Sequence, residues 1–209
     1  MNLTPYLIIL CTVSILAPFG PAGAGEVSFE YRFEEPRIVP AGGVFARVEF
    51  ERTIQAGKVG EPSFPFRGAR ILLPPGEVVA SVRFERRHWT SIGGTYRLLP
   101  AQRTVPGIYG DLSSSTGYDE RDIPEGMPAG LPGDQGLERE HGFLINRAAY
   151  TSDIWVHPPT SSFSTHCYRG HAIAVGSFSP LGYRPAAGEV GYFREIEVII
   201  ETAPAEHDP

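Results

Sequence analysis

The sequence has 209 residues, enough for one domain or at most two small ones, and its 42% hydrophobic and 20% charged residues are those of a folded globular chain. A net charge of −6, with no long run of Lys or Arg, excludes a binder that tracks nucleic-acid phosphates. The 24 Gly and 20 Pro interrupt the chain too often for long helices and leave short strands joined by turns.

Residues 7–16 form a nearly unbroken apolar run, followed by Pro18, Gly20, Pro21 and the A-x-A pattern of Ala22, Gly23 and Ala24. The run is shorter than the roughly 20 residues a membrane-spanning helix needs. It reads as an export signal cleaved after Ala24, which makes Gly25 the first mature residue; the alternative is an N-terminal anchor that stays attached. After cleavage no membrane association is expected. Cleavage also removes Cys11 and leaves Cys167 without a disulfide partner. The fold then rests on packing.

From residue 26 onward, period-2 alternation dominates. Val27, Phe29, Tyr31 and Phe33 share one face, opposite Glu26, Ser28, Glu30 and Arg32. Turn residues at 40–43 precede a second stripe of Ala46, Val48 and Phe50. A short strand at 70–73 is closed by Pro74, Pro75 and Gly76, and a third stripe follows in Val78, Ala80, Val82 and Phe84. Residues 100–141 carry Gly, Pro, Ser and Asp without sustained alternation, too long for an ordinary connection and therefore a working loop. Segments 172–183 and 190–201, separated by turn residues at 185–189, read as a terminal hairpin whose last stripe is Ile196, Val198 and Ile200. These one-sided stripes predict an all-β fold: an antiparallel β-sandwich over 25–203 with one long Gly/Pro-rich loop, and 204–209 as a tail or the start of a linker.

Three clusters invite a chemical reading. His166 and Cys167 are a base and a nucleophile, but adjacent residues on a strand point to opposite faces, and His157 or His171 has no feature placing it beside the thiol. Cys167 is expected to be a partly buried structural thiol. The irregular spacing of His157, His166, Cys167 and His171 is no zinc pattern, and Asp119, Glu120 and Asp122 lack the calcium-loop arrangement. No catalytic residue, metal or cofactor is expected. Trp89, Trp155, Tyr96 and Tyr109 suggest either a sugar-binding platform or core aromatics, the latter being the commoner use.

Two segments carry a resemblance. The first is Gly60-Glu61-Pro62-Ser63-Phe64-Pro65, then Ile71 to Leu73, Pro74, Gly76 and the Val-rich strand, with Pro100-Ala101-Gln102 further on. The second is Arg169-Gly170-His171, then Pro180, Tyr183, Pro185, and Gly188-Glu189-Val190. In order and spacing they resemble the propeptide domain of gingipain-type (family C25) cysteine peptidases, over roughly residues 27–201. Arg184 and Ala187 depart from the Asn and Thr usual in that family's closing hairpin. The resemblance implies a β-sandwich pro-domain that assists folding of a caspase-like catalytic domain and keeps it latent, so that the partner is that peptidase domain, in cis or in trans. No such domain precedes Pro209, and the chain is read as a piece of a longer precursor or as a free-standing relative. A side chain from the long loop would enter the partner's specificity pocket, and for an Arg-specific partner that side chain would be Arg; Arg121 is the first candidate, followed by Arg103 and Arg139. The rival reading is a secreted β-sandwich binding module or adhesin with no enzymatic partner.

Overall fold

The computed structural model describes residues 25–103, 136–158 and 162–205. Among the described residues, the chain forms thirteen strands and one 3-10 turn. The first sheet is built on its last strand, β13 (Glu189–Pro204), which pairs along one edge with β6 (Glu77–Ile92) and along the other with β1 (Glu26–Arg32) and β12 (Leu181–Arg184). The second sheet has the order β10 (Ser164–Tyr168), β11 (His171–Phe178), β5 (Phe64–Leu72), β4 (Thr53–Ala56), every pair antiparallel. The all-β expectation is met, and the two sheets share one core.

Alternation explains which side chains form that core. On β13, Ile196, Val198 and Ile200 are sealed, and they meet Ala69, Ile71, Ala174 and Phe178 from the facing sheet. Phe178 is the hub of an aromatic set, with edge-on or tilted rings at 4.9 Å from Tyr31, 5.7 Å from Phe84 and 6.2 Å from Phe33. Tilted and edge-on arrangements are those the ring quadrupole favours.

Two expectations are corrected, and one pairing outside the two sandwich sheets departs from the antiparallel pattern. The β6 stripe does not run unbroken, because a bulge at Ala80 lets Ser81 face Glu201 and Val79 face Thr202. Val79, rather than Val78 or Ala80, therefore packs on the core with Val82 and Phe84; an extra residue in one strand flips the faces beyond it. The terminal hairpin is narrower than 172–183 against 190–201: β11 belongs to the second sheet, and only β12 folds back on β13. Buried Ser179 and Pro180 carry the chain from one sheet to the other. Finally, one pairing is parallel. A small third sheet runs β2 (Arg37–Pro40), β3 (Phe45–Glu49), β7 (Arg97–Leu98), with β3 and β7 parallel.

Beside this third sheet stand the hairpin of β8 (Glu138–Glu140) and β9 (Phe143–Ile145) and the 3-10 turn Arg147–Tyr150. A second, smaller core of Phe45, Phe143, Ile145 and Tyr150 glues them together.

Candidate functional site

The long loop of the sequence leaves the described structure after Arg103 and returns at Gly136. Residues 98–103 and 136–146 thus form its root, and a loop can present a side chain with precision only where its root is stiff. Backbone hydrogen bonds tie the outgoing strand down on both sides: Leu99 N–H to the Ala46 carbonyl (2.8 Å), Ser63 N–H to Leu99 (2.9 Å) and Ala101 N–H to Glu61 (2.8 Å). Gly60 joins the two arms, donating to the Ala101 carbonyl and accepting from Asn146 N–H, both at 2.8 Å. Its φ of +81° is left-handed, and a Cβ there would lie 2.7 Å from Leu137 Cδ2 and 2.9 Å from Asn146 N. Only glycine fits.

Side chains complete the clamp. The Gln102 amide imitates a strand pair: its Nε2 donates to the Leu144 carbonyl and its Oε1 accepts from Leu144 N–H, each at 3.0 Å. Tyr150 donates its hydroxyl to the Leu98 carbonyl at 2.8 Å. Burial, the main cause, pushes the Tyr150 hydroxyl's pKa far up and keeps it a donor. Arg97 forks onto both carboxylate oxygens of Glu140, Nη2 to Oε2 at 2.9 Å, while its guanidinium lies over Phe45 (5.0 Å) and Tyr150 (5.2 Å). The hydrogen bond from Arg97 is the first cause that holds the Glu140 carboxyl below the ordinary glutamate range. Arg147 Nε pairs with Glu138 at 2.7 Å on the outside of the same hairpin. The root is a clamp of matched charges and apolar rings, open to water at a shallow depression lined by Arg97, Glu140, Arg147, Tyr150 and Thr151.

Arg121 and the acidic Asp119, Glu120 and Asp122 lie outside the described residues, as do Tyr109, Ala22 and Ala24. Arg103 stands half-buried at the outgoing end of the root. Arg139 lies on β8 opposite Leu144, exposed, in a strand rather than in an irregular loop. Because Gln102 grips the same Leu144, Arg103 and Arg139 flank one junction. Gly25 accepts a hydrogen bond from Thr202 N–H at 2.8 Å, so a chain beginning there has its first residue fixed to the first sheet.

The other clusters separate. Cys167 is exposed, not partly buried as expected, because β10 is an edge strand and the thiol sits next to its turn. His166 points to the opposite face and contacts Ser164 Oγ at 2.9 Å through Nε2. His157 is elsewhere, 5.9 Å from the Trp89 ring, and desolvation keeps it below the ordinary imidazole pKa. Among the described residues, no three His, Cys, Asp or Glu side chains gather as a metal site. Trp89 and Trp155 meet edge to face at 5.0 Å on the outside of the first sheet, beside Phe193, so they belong neither to the core nor to a flat platform.

The motif residues are explained by backbone geometry. Gly60 and Pro62 form the clamp, Pro62 bridging to Pro100. Pro65, Leu73, Pro180 and Tyr183 are buried. Pro74 and Gly76 make the turn into β6, closed by Glu77 N–H to the Pro74 carbonyl at 3.2 Å; Pro185 and Gly188 do the same for β12 and β13 at 3.1 Å. Arg169 and Gly170, both at positive φ, are the two-residue turn of the β10–β11 hairpin. Sequence reading missed Arg97, Glu140 and Tyr150. The Arg97–Glu140 pair is separated by 43 residues, and no local pattern could have joined its members.

Two facing sheets with one shared core define a class: an all-β sandwich domain. The particular fold is that of the gingipain pro-domains. Over 92% of this chain and 98% of the other, it superposes with a TM-score of 0.56 and 20% identity on a chain from a study of the zymogenic latency of gingipain K from Porphyromonas gingivalis. A chain from the complex of the pro- and mature domains of RgpB from Porphyromonas gingivalis matches with a TM-score of 0.53 and 13% identity, over 90% of this chain and 84% of that one. No protein-family model and no curated protein matches the sequence.

Proposed function

We propose that this chain is the pro-domain of a secreted gingipain-type cysteine peptidase, exported through residues 1–24, that assists folding of the catalytic domain and holds it latent until cleavage. The observation that carries this reading is the fold shared end to end with the gingipain K chain. The domain contributes no catalysis; the chemistry belongs to the peptidase it covers.

Latency follows from preorganisation. The clamp at Gly60, Gln102 and the Arg97–Glu140 pair fixes both ends of the segment 104–135, so less freedom is lost when that segment enters a cleft. A partner held in cis experiences an effective concentration on the order of millimolar, and modest contacts then suffice. Arg121 supplies the specificity contact, its guanidinium forking onto a carboxylate in the pocket. Arg103 and Arg139, at the root, are the second and third candidates.

The test is inhibition of the mature domain of RgpB by the full chain and by Arg121→Ala. We expect the substitution to weaken inhibition by about 100-fold, as for a buried interface anchor, with Arg139→Ala nearly unchanged. Equal inhibition by both variants removes Arg121 from the mechanism. The pair of exposed Trp89 and half-buried Trp155 invites a second reading, a secreted binding module or adhesin, but its rings stand at 89° and offer no flat stacking surface.

A further inference from the structure

Three strands of the first sheet meet at the residue that follows the proposed export signal. Gly25 precedes β1, Glu77 opens β6, and Thr202 lies near the end of β13. The Gly25 carbonyl accepts from Thr202 N–H at 2.8 Å, which fixes the residue on its carboxyl side. A Cβ placed on Gly25 would lie 2.7 Å from Thr202 Oγ1, 2.9 Å from Glu77 Oε2 and 3.6 Å from Glu77 Oε1. The first two distances are too short for carbon, but about 2.7–3.2 Å is ordinary for a nitrogen donating to oxygen. In this backbone conformation a side chain at 25 would fill the point itself; glycine keeps it open.

Glu77 is half-buried and Thr202 is sealed. The Thr202 hydroxyl donates to Glu77 Oε2 and keeps its lone pairs for a further donor. Among the described residues no Lys, Arg or His pairs with the Glu77 carboxylate. The neighbouring carboxylates are engaged elsewhere, Glu26 with Arg83 at 3.0 Å and Glu201 with Ser81 at 2.7 Å. A carboxylate partly withdrawn from water gains from a cation set against it.

We propose that this pocket receives the chain's own new amino terminus: once the bond between Ala24 and Gly25 is cut, the Gly25 ammonium turns into the pocket and pairs with Glu77 and Thr202, tying the start of β1 to β6 and β13. The pairing rests on the export proposed above, with cleavage after Ala24. Hydrolysis by an export peptidase adds water across that bond, leaving a carboxylate on Ala24 and an amine on Gly25 that takes up a proton near neutral pH. An uncharged amide nitrogen with one hydrogen becomes a cation with three. Rotation about the Gly25 Cα–C bond leaves the carbonyl on Thr202 and carries the nitrogen, about 1.5 Å from the α-carbon as a Cβ is, onto the open point. Charge-assisted hydrogen bonds of this kind are roughly twice as strong as neutral ones. The amine then holds its proton above the ordinary α-amino range of about 7.7–8.0. Its contribution to stability is whole below that range and is lost as pH rises through the raised folded value.

The test uses the full chain, produced with residues 1–24 in a secreting bacterial host, together with Glu77→Gln and Glu26→Gln. Intact mass gives the first residue. Acetic anhydride near neutral pH then labels the α-amine and Lys58, the sole lysine of the sequence, whose exposed Nζ is the internal reference. We expect a product beginning at Gly25 whose α-amine, relative to Lys58, reacts about tenfold more slowly than in Glu77→Gln, one pKa unit being a factor of ten in free amine. Glu26→Gln should match wild type. Unfolding in urea should speed the wild-type α-amine by about the same tenfold, a comparison that requires no variant. A product that begins at Gly25 and reacts equally fast folded, unfolded and in Glu77→Gln overturns the pocket and leaves export standing. A product that keeps residues 1–24, or begins elsewhere, overturns the cleavage and the pocket with it. Acceleration by Glu26→Gln equal to that by Glu77→Gln also overturns the proposal, because diffuse charge and not this pocket is then acting.

Discussion

Replacing Gly60 by alanine isolates the clamp at the root of the long segment. A left-handed φ of +81° costs an L-residue about 1–2 kcal/mol. The new Cβ would also fall 2.9 Å from Asn146 N, a backbone atom that cannot swing aside. Relieving that clash stretches the hydrogen bonds from Gly60 N–H to Ala101 and from Asn146 N–H to Gly60, at about 1 kcal/mol each. The total is about 3–4 kcal/mol. Gly76 is the matched control: its φ is +77°, and nothing lies within 4 Å of the Cβ position. Gly76→Ala therefore bears the conformational cost alone, about 1–2 kcal/mol, partly offset because alanine also restricts the unfolded chain. Urea denaturation followed by tryptophan fluorescence gives both values. Gly60→Ala should be the less stable by about 2 kcal/mol. Equal midpoints for the two variants would refute the clamp.

Two further outcomes follow from the same geometry. The Glu140 carboxyl is held below its ordinary value of 4.5, so the Arg97 pair stabilises the fold above that pH and its contribution is lost as pH falls through the depressed folded value; Glu140→Gln should flatten the acid limb of the stability profile, and an unchanged limb would show that the pair contributes nothing. Cys167 is exposed, with its neighbour His166 turned to the other face, so iodoacetamide should modify it completely in the folded protein at the rate of an ordinary thiol. Much faster reaction would reveal an activating base.

The sheets were legible in the sequence because one-sided burial writes a period of two. The stripe Ile196, Val198, Ile200 is sealed as its alternation requires. Legibility failed where that period slips. The bulge at Ala80 leaves no mark among the valines around it, since Val78 and Val79 are equally apolar. The split between β11 and β12 hides in Ser179 and Pro180, which read as easily for a bend in one strand as for a crossing between sheets. Cys167 was misjudged because thiols are usually buried, whereas its strand lies at an edge and ends in a turn. Of the candidate site, glycine and proline chemistry exposed the Gly60 half. The Arg97–Glu140 and Tyr150–Leu98 contacts depend on distant parts of the chain and have no local signature.

Strand β13 has a temporal consequence. It is the last strand, yet β1, β6 and β12 all hydrogen-bond to it, β1 across some 170 residues of intervening chain. During synthesis, β1 and β6 emerge with no partner for their ladders until residues near 200 have left the ribosome. Assembly of the first sheet is thus deferred to the end of translation, and distant pairings of this kind close slowly. Under the export proposed above, that delay keeps the chain threadable while it is being moved.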